Sequence, residues 1–214
     1  MPPPQPTPKH NYSVMLDPLP ITFDEAAHTY VWNPTGEQML WSISGVVKPL
    51  SPEQRAYLEK NSHYAERGTA VHKTLEEFLS GQQLTDLETY SEWTDRLIHN
   101  SWWDDAEVLA LEHRLADPKR SIGGSFDGLI KKNGKTCLFD LKTKQAEASR
   151  REKPLAQLGA YSQMLEQHYK LLPDEAWVVW SYPGGCDFER LDVMQCLDSW
   201  AGAWIKHEAR QELF

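Results

Sequence analysis

Apolar residues Val71, Leu75, Phe78 and Leu79 recur at helical spacing through ERGTAVHKTLEEFL (66–79), which predicts a helix with Gly81 placed to end it. His72 sits at the edge of that stripe, one turn from Glu76. A shorter helix is predicted from Ser51, an N-cap candidate followed by Pro52 at the first helical position. Further helices are expected over about 86–99 and 153–170, and a last amphipathic one carries Leu197, Trp200, Trp204 and Ile205. Between these the period changes to two. EVLALEHRL (107–115) reads as a strand with Leu109, Leu111 and Leu115 on one face and Glu112 on the other. GGSFDGLIKK and KTCLFDLK flank Asn133-Gly134, a strong hairpin signal. AWVVWSY and ERLDVM read as later strands, and ITFDEAAHTYVWNPTGEQMLWSISGVV as an earlier hairpin turning at Pro34-Thr35-Gly36.

Helices, then a strand cluster, then a helix and more strands define an α/β (α+β) domain with a mixed central sheet flanked by helices. The 214 residues suit one such domain over 21–214, preceded by a proline-rich, extended or disordered arm over 1–20. No run approaches the roughly 18–20 apolar residues of a membrane span, and the N-terminus lacks a signal-peptide pattern, so a cytoplasmic protein with no membrane partner is expected. Cys137, Cys186 and Cys196 are too few and too scattered for a disulfide framework or a zinc ribbon. Net charge is −9, which argues against a polyanion partner until its distribution is considered. From 113 to 153 there are eleven Lys/Arg against five Asp/Glu, a local balance of +6 on a remainder of −15. A basic cleft on an acidic body fits that asymmetry, as does a merely solvated face.

If Asn133-Gly134 forms a two-residue turn, Lys132 pairs with Lys135 and Asp127 stands opposite Asp140, with Lys142 on the same face. The other face then receives Phe126, Gly128 and Ile130 against Leu141, Phe139 and Cys137. Opposed like charges about 5 Å apart destabilise a sheet, whereas a divalent cation shared by hard oxygen ligands removes the conflict. A longer turn would shift the register by one and turn one acid to solvent.

FDGLI…LFDLKTK resembles the core motif of PD-(D/E)XK nucleases, with Asp127 as first acid and Asp140-Leu141-Lys142 as the (D/E)XK tripeptide. Phe126 replaces the proline of the name, and Gly124 to Asp127 is similar to the GxxD form of RecB-like members. RGTAVH, ending in His72, resembles their N-terminal helix motif; Glu112 resembles their additional acid; Gln157 and Tyr161 match their QxxxY motif. FDEAAHTY followed by SISGVV is similar to the N-terminal hairpin of small phage exonucleases and of the mitochondrial genome-maintenance exonuclease. The resemblance implies a restriction-endonuclease-like core. It also implies Mg²⁺ or Mn²⁺ held by His72, Glu112, Asp127, Asp140 and the Leu141 carbonyl. Lys142 would orient water or stabilise charge on the phosphate, with Gln157 and Tyr161 as substrate-side groups at the rim. Some RecB-like members carry four cysteines around an iron–sulfur cluster; three cysteines, none placed to match, lead us to expect no cluster.

The function this implies is a metal-dependent DNA exonuclease of phage or bacterial replication, recombination or repair, acting on a single strand or a free end. An endonuclease of branched or flapped DNA and a catalytically silent nucleic-acid-binding protein are the alternatives. Strand polarity, DNA against RNA, one metal or two, and oligomeric state stay open. Lys144, Arg150, Arg151 and Lys153 are candidate phosphate contacts, Arg67 a motif residue that could equally pair locally, and Trp102 and Trp103 candidate base-stacking groups.

Overall fold

A computed structural model of the chain describes residues 11–12, 16–24, 27, 29–86 and 88–212. Of the expected arm, residues 1–10 and 13–15 lie outside the described residues. Strand β1 (Asn11–Tyr12) pairs parallel with a central strand, and Leu16 and Leu19 pack against the core. Strands β2 (Ile21–Asp24), β3 (Thr29–Trp32) and β4 (Glu37–Gln38) form a small antiparallel sheet. Its second turn carries Pro34 to Gly36, as the sequence predicts, with Gly36 at φ +69°. The rest of that stretch differs from the expected hairpin. Trp41–Ser42 form β5, and Ile43–Val47 form a helix, α1, whose first turn Ser42 caps by accepting from the Gly45 N–H.

Helix α2 (Pro52–Lys60) has the predicted Ser51 cap, reciprocated by the Gln54 side chain in a capping box. It buries none of its residues. α3 (His63–Leu79) begins three residues earlier than expected, and α4 (Ser91–Ile98) is shorter than expected. A single 3₁₀ turn at Ser101–Trp103 then leads into β6 (Glu107–Asp117), β7 (Ile122–Lys132) and β8 (Lys135–Thr143). α5 (Leu155–Tyr169) is followed by β9 (Glu175–Tyr182), β10 (Gly185–Leu191) and α6 (Val193–Gln211). The expected strand ERLDVM therefore stops at Leu191; Asp192 accepts from the Gln195 N–H and starts a helix instead.

The large sheet runs β1-β6-β7-β8-β9-β10, with β1 parallel to β6, β8 parallel to β9, and the remaining neighbours antiparallel. This mixed sheet flanked by helices bears out the predicted fold class. Both faces are covered. α1, α5 and α6 bury Leu129, Leu138, Ala160, Leu165 and Trp200 on one side. α3 and α4 bury Val71, Leu79, Leu97, Ile130 and Phe139 on the other. The expectation of one core face and one purely ionic face is thus corrected: Leu129 and Leu138 give the acid-bearing face its own core. Among the described residues no helix is long and apolar enough to cross a membrane. Cys137 and Cys196 are buried free thiols in the cores on opposite faces of the sheet, and Cys186 is a half-buried one.

Candidate active site

The hairpin keeps the register that Asn133-Gly134 predicts. Both residues have positive φ, 50° and 76°, as a two-residue primed turn requires, and pairing runs from Lys132↔Lys135 to Gly128↔Phe139. There the β7–β8 ladder ends. At its other end the same edge of β7 takes β5, through Trp41↔Ile122 and Ser42↔Gly123. Residues 124–127 lie between these two partners with no strand paired to them on that edge. Side chains close the gap: Asp127 Oδ2 accepts the Leu141 N–H at 2.5 Å, and the Tyr161 hydroxyl donates to the Ser125 carbonyl at 2.5 Å.

Strict alternation fails at this place, and the failure builds the site. A Cβ on Gly124 would meet Ile43 and Tyr161, and Phe126 packs beside Tyr161 on the α5 side. A Cβ on Gly128 would instead meet Phe139 and Leu111 on the α3 side. β6 changes face at the matching point, between Leu111 on the α3 side and His113 beside Phe126 and Tyr169. Register is the same before and after, Leu111↔Gly128 and His113↔Phe126, so the break falls on the facing residues Glu112 and Asp127. Glu112 takes φ +42° to make it. Both acids thereby come to His72 of α3: His72 Nδ1 lies 3.3 Å from Asp127 Oδ1 and 4.0 Å from Glu112 Oε1. The expectations that Asp127 shares a face with Asp140, and that Leu111 shares one with Leu109 and Leu115, are corrected by this double change of face; Leu109 packs on the same side as Leu115.

Asp140 and Lys142 stay on the α5 side. Lys142 Nζ is 2.9 Å from Asp140 Oδ2 and 3.2 Å from Gln157 Oε1, and Gln157 Nε2 is 3.5 Å from the Tyr161 hydroxyl. Tyr161 is buried, so it braces β7 from behind and does not stand at the rim where a substrate-side group was expected. Two neighbouring groups result, His72-Glu112-Asp127 and Asp140-Lys142-Gln157, joined where Asp127 accepts from the backbone between Asp140 and Lys142. Glu76 also lines the small cleft beside His72, a residue that sequence reading noted only as a helical neighbour.

The electrostatics are those of crowded acids. Partial burial, reinforced by Asp127 and Glu76, pushes the Glu112 carboxyl up to about 7. Burial, with Asp127 adding to it against Lys142, pushes Asp140 up to about 6. Burial opposes the His72 imidazolium, but Asp127, Glu112 and Asp140 outweigh it and hold the ring at about 9. Asp127 is also buried, yet His72, Lys142 and the Leu141 N–H hold its carboxyl below the usual range. Lys142 likewise resists burial through Asp140 and Asp127 and stays above the ordinary lysine value. It is an ammonium, suited to a phosphate or an acid and not to a base.

These residues fit a divalent cation. One ligand atom each from His72, Glu112 and Asp127 lies within 4.8 Å of the others. Asp140, only 2% exposed, has a buried Oδ2 with no directed hydrogen bond, although the Lys142 ammonium is near it. Oxygen-rich donors with one imidazole suit Mg²⁺ or Mn²⁺.

The other candidate residues have partners of their own in the structure. Lys144 is buried and donates to the Glu147 carbonyl, so it offers no phosphate contact. Arg151 pairs with Asp187 and Lys153 with Glu189. Trp103 is buried, and the half-buried Trp102 stacks on Phe188 and meets Trp177 edge-on, so Trp103 is a core residue and Trp102 packs against the core. Arg67 is buried between the Tyr64 and Trp93 rings and donates to Gln145.

A mixed sheet parted over paired acids, an ammonium and an imidazole brings together groups that could hold a divalent cation. The family model of the PD-(D/E)XK nuclease superfamily matches residues 47–192, and the chain belongs to that superfamily. A solved structure titled "Crystal structure of SSO0001" is similar at 15% identity over 77% of this chain and 74% of its own, with a TM-score of 0.40. Among curated proteins none matches this chain in sequence.

Proposed function

We propose that this chain is a divalent-metal-dependent DNA exonuclease. The observation that carries the reading is the complete donor set at the parted strands: His72, Glu112 and Asp127 within 4.8 Å, beside the Asp140–Lys142 pair. His72, Glu112, Asp127, Asp140 and the Leu141 carbonyl would hold Mg²⁺ or Mn²⁺. When bound, such an ion polarises a phosphoryl oxygen and lowers the pKa of a water. Lys142, held charged by Asp140 and Asp127, stabilises negative charge that builds on the scissile phosphate. Gln157 orients the Lys142 ammonium, and Tyr161 fixes the strand that presents Asp127. The exonuclease assignment rests on the resemblance of the N-terminal hairpin and the QxxxY motif to small phage-type exonucleases.

The test is digestion of end-labelled linear single-stranded DNA beside a covalently closed single-stranded circle, each with Mg²⁺, Mn²⁺ or EDTA. Loss of the linear strand alone, abolished by EDTA, is the expected result. A nicked circle would replace this reading with an endonuclease, and inertness on single-stranded, duplex, flap and RNA substrates would replace it with a binding protein. Tyr161→Phe removes only the hydroxyl that holds the Ser125 carbonyl. Losing such a supporting bond is expected to lower kcat by about tenfold or more, with KM unchanged in a steady-state assay.

A further inference from the structure

A second feature lies on the same edge of β7. A groove of about 870 Å³ runs between the small sheet, the segment from β5 to α2, and the end of α6. Lys48, Arg55, His207 and Arg210 line it, and none of its described lining residues is acidic, on a chain whose net charge is −9. A lining with cations and no carboxylate of its own is complementary to an anion, although Glu152 reaches Lys48 from outside it.

Its apolar part faces outward. Leu40 is 73% exposed and Trp41 36% exposed, although both are large hydrophobic residues. Trp41 meets the His207 ring edge-on at 4.7 Å. His207 is itself only 5% exposed, and its Nε2 has no hydrogen-bond partner. A buried polar atom without a partner costs stability unless something else satisfies it. Of the cations, Lys48 pairs with Glu152 and Arg210 reaches the Val46 carbonyl, while Arg55 stands on α2, the helix that buries nothing.

An aromatic face, a hydrogen-bonding imidazole and a rim of cations together match the parts of a nucleotide. The groove is also in line with the site. Trp41 and Ser42 pair with Ile122 and Gly123, and Asp127 lies four residues further along β7, about 13 Å at about 3.3 Å per residue. Tyr30, on the groove wall, packs directly against Gly123.

We propose that this groove is a holding site for single-stranded nucleic acid, stacking a base on Trp41 and taking backbone phosphates on Arg55, Lys48 and Arg210, so that the strand is gripped on the β7 edge leading to Asp127. The assignment deepens the nuclease reading and rests on it for the identity of the strand as substrate. Binding here does not require cleavage, so the two are separable by experiment.

Fluorescence anisotropy of 5′-labelled dT20 in EDTA, over a salt series, tests it on the full chain. Trp41→Ala is expected to weaken binding about tenfold, as loss of one stacked base does. Arg55→Gln is expected to flatten the dependence of log K on log salt by about 0.7, one phosphate on a single strand. Because α2 has no buried residue, Arg55→Gln keeps the fold even if Trp41→Ala disturbs His207. In a cleavage assay both variants should raise KM for dT20 and leave KM for dT4 and kcat unchanged. Affinity within twofold of wild type together with an unchanged salt slope, or tighter binding of duplex than of dT20, overturns the proposal. Groove-dependent binding by a wild-type chain that cuts nothing sustains the groove and defeats the nuclease reading. Cleavage indifferent to both variants does the reverse.

Discussion

Replacing Asp127 or Asp140 with Asn is expected to abolish strand hydrolysis without unfolding the protein. Removing a metal-binding carboxylate forfeits transition-state stabilisation of several kcal/mol, a loss on the order of a thousandfold or more in kcat. At Asp140 the fold should gain, if anything, whereas Asp127 gives up its ion pair with His72. Asp140 is buried with its carboxyl pushed up to about 6, so folding penalises its ionised form. Its folded pKa stands above the unfolded value. The penalty is therefore full at pH 8 and fades as pH falls through 6 toward the ordinary aspartate range. Asn carries no such charge, so Asp140→Asn in EDTA at pH 8 should melt at or above the wild-type temperature. Metal separates the two proteins further. A ligand at a hundred times its Kd stabilises by about 2.7 kcal/mol, and a chain of this size gains about 2–4 °C per kcal/mol. Mn²⁺ should thus raise the wild-type Tm by about 5–10 °C and the variant by much less. Calorimetry with and without Mn²⁺, run beside the digestion assay, measures both. Retained activity in either variant would remove the acids from the chemistry. A Tm collapse in EDTA would make them structural.

Much of this site is legible in the sequence because its determinants are local. Asn133-Gly134 fixes the hairpin register through backbone geometry alone, and Gly128↔Phe139 follows by counting. The α3 stripe and the Ser51 cap are equally local, and both are found where they are predicted. What was not legible depends on distant partners. Glu112 is not a residue type that prefers φ +42°, and nothing beside it in sequence marks the change of face. That conformation is held by tertiary contacts to β7 and α3, and it carries Glu112 and Asp127 to His72. Ile43–Val47 shows the same limit: ISGVV is β-prone by composition, yet Ser42 capping and burial against α5 and α6 make it helical. Trp102 and Trp103 are packed by Phe188, and Trp102 also by Trp177, more than seventy residues away.

A close approach of two helices sets a second large effect. Gly159 lies on α5 against the first turn of α6, where a Cβ would stand 2.0 Å from the Cys196 carbonyl oxygen and 2.9 Å from Trp200 Cβ. The first of these is backbone and has no rotamer by which to retreat. Gly159→Ala must therefore push the helices apart across a core that holds Leu158, Leu165, Val193 and Trp200. Overpacking of this kind costs about 1–3 kcal/mol, and the backbone clash places it at the upper end. The expected loss in Tm is about 5–10 °C at about 2–4 °C per kcal/mol. Activity should fall as well, below the melting range. Gln157 and Tyr161 sit two residues to either side of Gly159, and they hold Lys142 at 3.2 Å and the Ser125 carbonyl at 2.5 Å. A displacement of about 1 Å at a catalytic group can cost up to about a hundredfold. Gly202→Ala is the matched control: it lies inside α6 with nothing within 4 Å of its would-be Cβ, and alanine favours helix there. Melting curves and kcat for the two variants decide the matter. Equal stability of Gly159→Ala and Gly202→Ala would show that the α5–α6 contact is looser than its geometry. A destabilised Gly159→Ala with full kcat would show that α5 does not position the Lys142 side of the site.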